Sequence, residues 1–332
     1  MLLNKKEFTV FSPTKTRQHQ IGAGSTSRIY LTTHKPSGQQ FALKTTPLQK
    51  VYHFVNISRE IAIQSQIDHQ HVIRLKGYYL HGGDVCIVQE YAQFGNLLQF
   101  QQKTQQLNFK QKISIFIKLC GAIKYLHDRS VLHRDIKPEN ILLGKDLQPK
   151  LCDFGQSVIV DQARDTVCGT FEFMAPELFR NQKYGLPVDI WSLGVFLYEL
   201  LHDKSPFYSE DVDEIQHNVF NKKLEVDSIY PESLCDLMES MLVRSPQERV
   251  DIAGVLLHPF VASWIAGESW VAAPRNFDVL GSGKNFKIMI NSRRNSAKVV
   301  KKSGSLLWQY KVVVKKLVQK IKKSKCLEYK KY

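Results

Sequence analysis

Two short polar runs constrain this chain more than anything else in it. His133-Arg134-Asp135-Ile136-Lys137-Pro138-Glu139-Asn140 is followed, thirteen residues after Asn140, by Asp153-Phe154-Gly155. The first run sets a carboxylate, a cation and an amide close together. The second adds another carboxylate ahead of a glycine hinge. Asp135 can accept a hydroxyl proton, and Lys137 can neutralise a phosphate beside it. Asn140 and Asp153 are oxygen ligands of the kind Mg²⁺ takes. Any one of these residue types occurs in ordinary loops. The full ordered set at this spacing points to a fold that carries both runs to one place.

The segments before and after supply candidate scaffolding. Ile21-Gly22-Ala23-Gly24-Ser25-Thr26-Ser27-Arg28-Ile29-Tyr30 reads as strand, glycine-rich turn, strand. Such glycines let backbone N–H groups approach phosphate oxygens with no Cβ in the way, although a lone Gly-x-Gly also fits a plain hairpin. Phe41-Ala42-Leu43-Lys44 follows as an apolar, strand-like run, where a lone lysine would ordinarily be an edge residue with its head in water. Ile57, Ile61, Ile63 and Ile67 give residues 58–67 helical periodicity with a mostly inward face. That helix carries Glu60, and one turn later Gln64 should point into the core. Val72 to Leu80 and Val85 to Glu90 read as strands joined by His81-Gly82-Gly83-Asp84. Gly95 should end the extended stretch and lead into a helix. Asn108 to His127 shows helical apolar spacing, and Val188-Asp189-Ile190-Trp191 begins a buried helix. Further helical stretches cover Leu234–Leu242 and Ala253–Leu257 and should end near His258-Pro259-Phe260.

In this order the motifs resemble those of the eukaryotic protein kinases, serine/threonine type, over about residues 16–262. They are most similar to the Aurora group, with polo-like and calmodulin-dependent kinases as rival subgroups. The resemblance implies an α+β, bilobal protein-kinase-like fold. A small β-rich N-lobe would cover about 16–90 and a larger helical C-lobe about 93–262. It implies transfer of the γ-phosphate of ATP, with Mg²⁺, to protein Ser/Thr hydroxyls. Asp135 would be the base, and Lys137 would steady the γ-phosphoryl oxygens. ATP would be held by Ile21, Gly22, Gly24, Ile29, Lys44, Glu60, the backbone of Glu90 and Ala92, Glu139, Asn140 and Asp153. Asn140 and Asp153 would also hold the metal. Gln89 is then the gatekeeper, and His133 packs structurally under Phe154. Lys137, and Thr170 in Cys168-Gly169-Thr170, are the marks of serine/threonine rather than tyrosine kinases. Thr166 is the implied regulatory phosphosite, with Ser157 and Thr170 competing, and Arg134 would bind its phosphate. Glu177 should pair with Arg249, and Asp189 should bond the backbone of the first polar run, both structurally. Two departures stand out: Ser27 replaces the third glycine, and Gln156 stands where Aurora kinases have tryptophan. An alternative is a nucleotide-binding pseudokinase scaffold, which intact Lys44, Glu60, Asp135, Lys137, Asn140 and Asp153 disfavour.

Composition adds boundaries. At 332 residues the chain can fill two lobes, and 43% hydrophobic with 23% charged residues reads as soluble and globular. No apolar run reaches the roughly 18 residues of a membrane span. Met1 to Lys6 does not read as a signal peptide. Six scattered cysteines without a Cys-x-x-Cys pair suit reduced thiols, hence a cytoplasmic or nuclear setting. The net charge of +15 is local: Arg275 to Tyr332 carries 17 basic residues against two acidic ones. Residues 1–15 read as an N-terminal extension, 263–304 as a linker and 305–332 as a basic amphipathic tail. In the tail, Leu306, Tyr310, Val313, Val314, Leu317, Val318 and Ile321 fall at helical spacing among lysines. Such a helix could dock on the protein's own surface, or meet an acidic partner or anionic membrane and so tether the kinase. Aromatic interleaving is too sparse to favour nucleic acid.

Overall fold

The alternation Phe41-Ala42-Leu43-Lys44 sorts the first sheet into two faces. β1 (Gln20–Ala23), β2 (Arg28–Thr33), β3 (Gln40–Pro47), β4 (Leu75–His81) and β5 (Asp84–Glu90) form an antiparallel sheet ordered β1-β2-β3-β5-β4. Val85 to Gln89 are buried throughout, as befits a central strand. Lys44 lies opposite Ile29 on β2 and Ile87 on β5, and Ala42 lies opposite Gln89. Directly opposed residues share a face, so Ala42, Lys44, Ile87 and Gln89 line one side. Helix α1 (Val51–Gln64) packs against this side through Ile57 and Ile61, which meet Leu75, Tyr78, Val85 and Ile87. The computed structural model describes residues 3, 5–8, 20–24, 26–48, 51–103, 107–160, 170–180, 182–267 and 315, with backbone alone at 51–54.

The opposite face of the sheet is covered by part of the segment read as an N-terminal extension. Phe8 is buried there with Phe41, Leu43, Tyr79, Cys86 and Val88. Its ring stacks on Tyr79 and meets Phe41 edge-on. The Leu3 N–H donates to the Tyr78 carbonyl at 3.0 Å, and Lys35 N–H to the Glu7 carbonyl at 2.8 Å. The sheet needs an apolar cover on this side, and this short segment provides it.

The second lobe is helical. α2 (Leu97–Lys103) follows Gly95, whose φ of +71° suits glycine. α3 (Phe109–His127) opens with a reciprocal cap between Asn108 and Gln111. α4 (Pro176–Phe179), α5 (Pro187–His202), α6 (Val212–Asn221), α7 (Glu232–Met241), α8 (Ile252–Leu257) and α9 (Pro259–Ile265) follow. α5 is buried over most of its circumference, and a Cβ at Gly194 would stand 3.0 Å from Met241 and Leu242. Glycine therefore sets the close approach of α5 to the end of α7. The anticipated stop near His258-Pro259-Phe260 is instead the start of α9, where Pro259 takes the first helical position. α9 runs beyond residue 262 because Trp264 packs on Phe109 and Phe260. Two other boundaries differ from expectation. α1 begins before residue 58 and stops at Gln64. β4 begins at Leu75, because Val72 and Ile73 pair with Leu151 instead.

Two small ladders bring the polar runs together. β6 (Val131–Leu132) pairs with β9 (Val158–Ile159), and β7 (Ile141–Leu143) with β8 (Pro149–Leu151). Residues 133–140 leave β6 and enter β7, while 152–157 leave β8 and enter β9. Each ladder thus fastens one end of both runs. Among the described residues no helix is long and apolar enough to cross a membrane. Residues 268–304 and the tail, apart from the exposed helical Lys315, lie outside them.

Candidate active site

Lys44 is the cation between the lobes. Its Nζ lies 2.7 Å from Glu60 Oε1 on α1 and 3.1 Å from Asp153 Oδ1 after β8. Burial alone would loosen the ammonium's hold on its proton, but the two carboxylates outweigh it and raise the lysine above its ordinary range. Lys44 in turn holds the Asp153 carboxyl below the usual range, with help from the Gly155 N–H. Burial raises Glu60, so Asp153 is the more firmly ionised partner.

Asp135 is held from two sides. Lys137 Nζ lies 3.1 Å from its Oδ1, and Asn140 Nδ2 donates to its Oδ2 at 2.7 Å and its carbonyl at 2.8 Å. Lys137 also donates to Thr170 Oγ1 at 2.7 Å. The Cys152 thiol, which burial raises, lies within the fields of Asp153, Lys44, Asp135 and Glu60 together. The two runs are cross-tied by the Cys152 N–H to the Asn140 carbonyl at 2.9 Å and by His133 Nε2 with the Cys152 carbonyl at 3.0 Å.

This arrangement suits a hard cation. Asn140 uses its Nδ2 on Asp135, so Oδ1 accepts no hydrogen bond among the described residues. Asp153 uses Oδ1 on Lys44 and Gly155, leaving Oδ2 open on a side chain 47% exposed. No group of three or more His, Cys, Asp or Glu among the described residues could hold a metal alone. A cation here would complete its shell with phosphate and water oxygens, as Mg²⁺ commonly does.

The support beneath is more heavily bonded. Asp189 of α5 is fully buried and accepts from the backbone N–H groups of His133 at 2.9 Å and Arg134 at 2.8 Å. Its other partner is His127 Nε2 at 3.0 Å. Burial opposes its charge, yet these donors outweigh it and hold the carboxyl below the usual range. The same bonds hold Arg134 at φ +68°, a conformation that costs a non-glycine residue about 1 kcal/mol or more. The His133 ring meets Phe154 edge-on at 5.0 Å. Glu177 and Arg249 form a buried two-armed pair at 2.8 and 3.0 Å.

The remaining expected residues fall as follows. Gly22 faces Ile29 across the β1–β2 hairpin, and the Gly24 N–H closes the turn on the Ser27 carbonyl at 2.8 Å. Ile21 is exposed. Glu90 donates its N–H to the Arg74 carbonyl and pairs through its side chain with Lys150 at 2.7 Å, while Ala92 is buried just beyond. Ser157 is fully buried. Thr166 and Cys168 lie outside the described residues. Residue order alone does not reveal the partners of Arg134, which donates to the Gln156 carbonyl at 2.6 Å and to the Tyr184 hydroxyl. Nor did it flag Glu199, whose carboxyl is pushed up to about 7 by burial and by Glu139, Glu172 and Asp203. Exposed Glu139 therefore belongs to an acidic group as well as to the first run.

A small antiparallel sheet, a larger helical lobe and this set of facing loops define a protein kinase. The family model for the protein kinase domain matches residues 16–261. Aurora kinase C of Mus musculus is 34% identical over 262 residues, covering 75% of this chain and 95% of that one. Aurora-1 of Arabidopsis thaliana, a serine/threonine-protein kinase, is 33% identical, covering 73% and 84%. Aurora kinase A-A of Xenopus laevis is 34% identical, but the match spans only 60% of its length. The chain belongs to the protein kinase family, within the serine/threonine kinases of the Aurora group. It is an ATP-dependent enzyme that phosphorylates protein Ser/Thr hydroxyls.

Proposed function

We propose that Asp135, Lys137, Asn140, Asp153, Lys44 and Glu60 perform the transfer, with Mg²⁺ held by Asn140 and Asp153. The observation that carries this reading is Lys44 caught between Glu60 and Asp153, which links α1, the sheet and the second loop through one ammonium. In this reading Lys44 fixes the α- and β-phosphates, and Glu60 fixes Lys44. The glycine turn of Gly22 and Gly24, with Ile21 and Ile29, covers the nucleotide. The backbone of Glu90 and Ala92 meets the adenine, and Glu139 closes the ribose end. Asp135 orients the acceptor hydroxyl and takes its proton, while Lys137 steadies the γ-phosphoryl oxygens. Mg²⁺ would neutralise charge that builds on the phosphates. The work of the protein is positioning and electrostatic stabilisation, since phosphoryl transfer passes through a loose, charge-spread state.

Regulation would act at Thr166. Arg134 makes no hydrogen bond through Nη2 among the described residues, so a donor remains for a phosphate on the segment after Ile159. The test is γ-phosphate transfer to a generic basic protein. Asp135→Asn should lower kcat by about 10³-fold or more while ATP binding persists. Equal activity in wild type and variant overturns the role of Asp135. If both are inactive yet bind ATP, the chain acts as a scaffold instead. Thr166→Ala should remove the activity gained on phosphorylation, and an unchanged gain would move the site elsewhere.

A further inference from the structure

The turn between β1 and β2 carries Ser27 where the family has its third glycine, and the sheet register fixes where that side chain looks. Ile29 lies opposite Lys44 on β3 and opposite Gly22 on β1, so these residues share one face. Side chains alternate along a strand. Arg28 therefore faces away, and Ser27, two residues before Ile29, returns to the Lys44 side. The next pair across the turn is Gly24 and Ser27, closed by the Gly24 N–H on the Ser27 carbonyl at 2.8 Å. A Cβ on Gly24 would stand 3.1 Å from Ser27 Oγ, so the hydroxyl leans over Gly24 at the mouth of the turn. Ser27 is half-buried, and its Oγ makes no hydrogen bond among the described residues.

A third glycine would offer a nucleotide only backbone, with the freedom to open and close. Serine gives up part of that freedom and sets one rotatable O–H in its place. A hydroxyl bonded inside the turn would merely brace it, and one on the outer face would merely meet water. Ser27 has no such brace among the described residues, and it faces the side that carries Lys44. We propose that Ser27 is a nucleotide-binding residue whose hydroxyl donates to a phosphate oxygen of ATP. The looseness of a glycine is exchanged for a hydrogen bond to a charged acceptor, which is the stronger kind. The proposal deepens, and rests on, the reading of the glycine turn and Lys44 given above.

The test measures by calorimetry the affinity of the full chain for Mg·ATP and for adenosine, which has no phosphate. The variants are Ser27→Ala, Ser27→Gly and Lys44→Met. Ser27→Ala removes the hydroxyl and keeps the Cβ. It should weaken Mg·ATP binding about tenfold and leave adenosine within about twofold, since one hydrogen bond to a charged group is lost. Ser27→Gly restores the glycine of the family and should lose a similar factor, because the hydroxyl is gone there too. Both variants should melt within about a degree of wild type, as substitutions at an open turn do.

The proposal is overturned if Ser27→Ala holds Mg·ATP within about twofold of wild type. It also falls if Ser27→Gly binds Mg·ATP as tightly as wild type, for the backbone of the turn would then carry the effect. An equal loss for adenosine, or a melt lowered by several degrees, would reduce Ser27 to shaping the turn. If wild type binds Mg·ATP no better than adenosine, the reading of the turn and Lys44 as a phosphate site fails and takes this proposal with it. If wild type prefers Mg·ATP, Lys44→Met abolishes transfer and Ser27→Ala keeps the whole preference, this proposal alone fails.

Discussion

Asp189 and Asp153 are both carboxylates held below their usual range, yet they are built for opposite ends. Asp189 has no exposed surface and three donors on its two oxygens. Asp153 is nearly half exposed, with one oxygen tied to Lys44 and the other open. The first is sealed from any ligand by burial, and the second keeps an exposed oxygen in reserve. A buried acid that gathers several donors is a structural fixture, because removing it strands them. An acid with an open oxygen and a fixed neighbour is poised to bind.

That contrast can be tested by deletion. Asp189→Ala should destabilise the protein by about 4 kcal/mol, since it leaves two backbone N–H groups and His127 buried without an acceptor. Asp153→Ala should change stability by less than about 1 kcal/mol, as Lys44 retains Glu60, while transfer activity disappears. Denaturant melts read beside activity assays would separate the two, and equal losses of stability would dissolve the distinction. Phe8→Ala should cost about 3 kcal/mol by uncovering the outer face of the sheet. A melt shifted by less than a degree would return residues 3–8 to the status of an idle extension. The smallest effect concerns Glu199, a partly buried acid and one raised instead of lowered. The folded chain holds its proton more tightly than the unfolded one, so stability falls as pH rises from its ordinary 4.5 to about 7. Glu199→Gln should therefore raise the melting temperature by a degree or two at pH 8 and leave it unchanged at pH 4. A gain equal at both values would mean the carboxyl is not the cause.

Much of this was legible in residue order because the chemistry needs fixed types at fixed spacing. Asp135, Asn140 and Asp153 had to meet if they acted together, and β6 to β9 are too short to be noticed without that demand. Glu177 and Arg249 lie 72 residues apart and were legible only through likeness to a family. Periodicity placed α3 almost to the residue because its apolar side chains recur at helical spacing from Phe109 to Leu126. It failed at Val72 and Ile73, which are apolar and β-branched but pair with Leu151 across the lobes. It failed again at Phe8, since Asn4, Lys5, Lys6 and Glu7 interrupt any apolar period ahead of it. Glu199 was hidden because its raised carboxyl comes from burial and from Glu139, Glu172 and Asp203, all of which only the fold supplies.

The acceptor on α5 grips main-chain N–H groups at 133 and 134 and takes a hydrogen bond from neither side chain. The path of the loop is therefore dictated from outside, much as a mould shapes whatever is poured into it. Evolution can exchange the chemistry carried on residues 133–140 without redrawing the curve. Position 134 would favour residues at ease in a left-handed turn, such as glycine or asparagine.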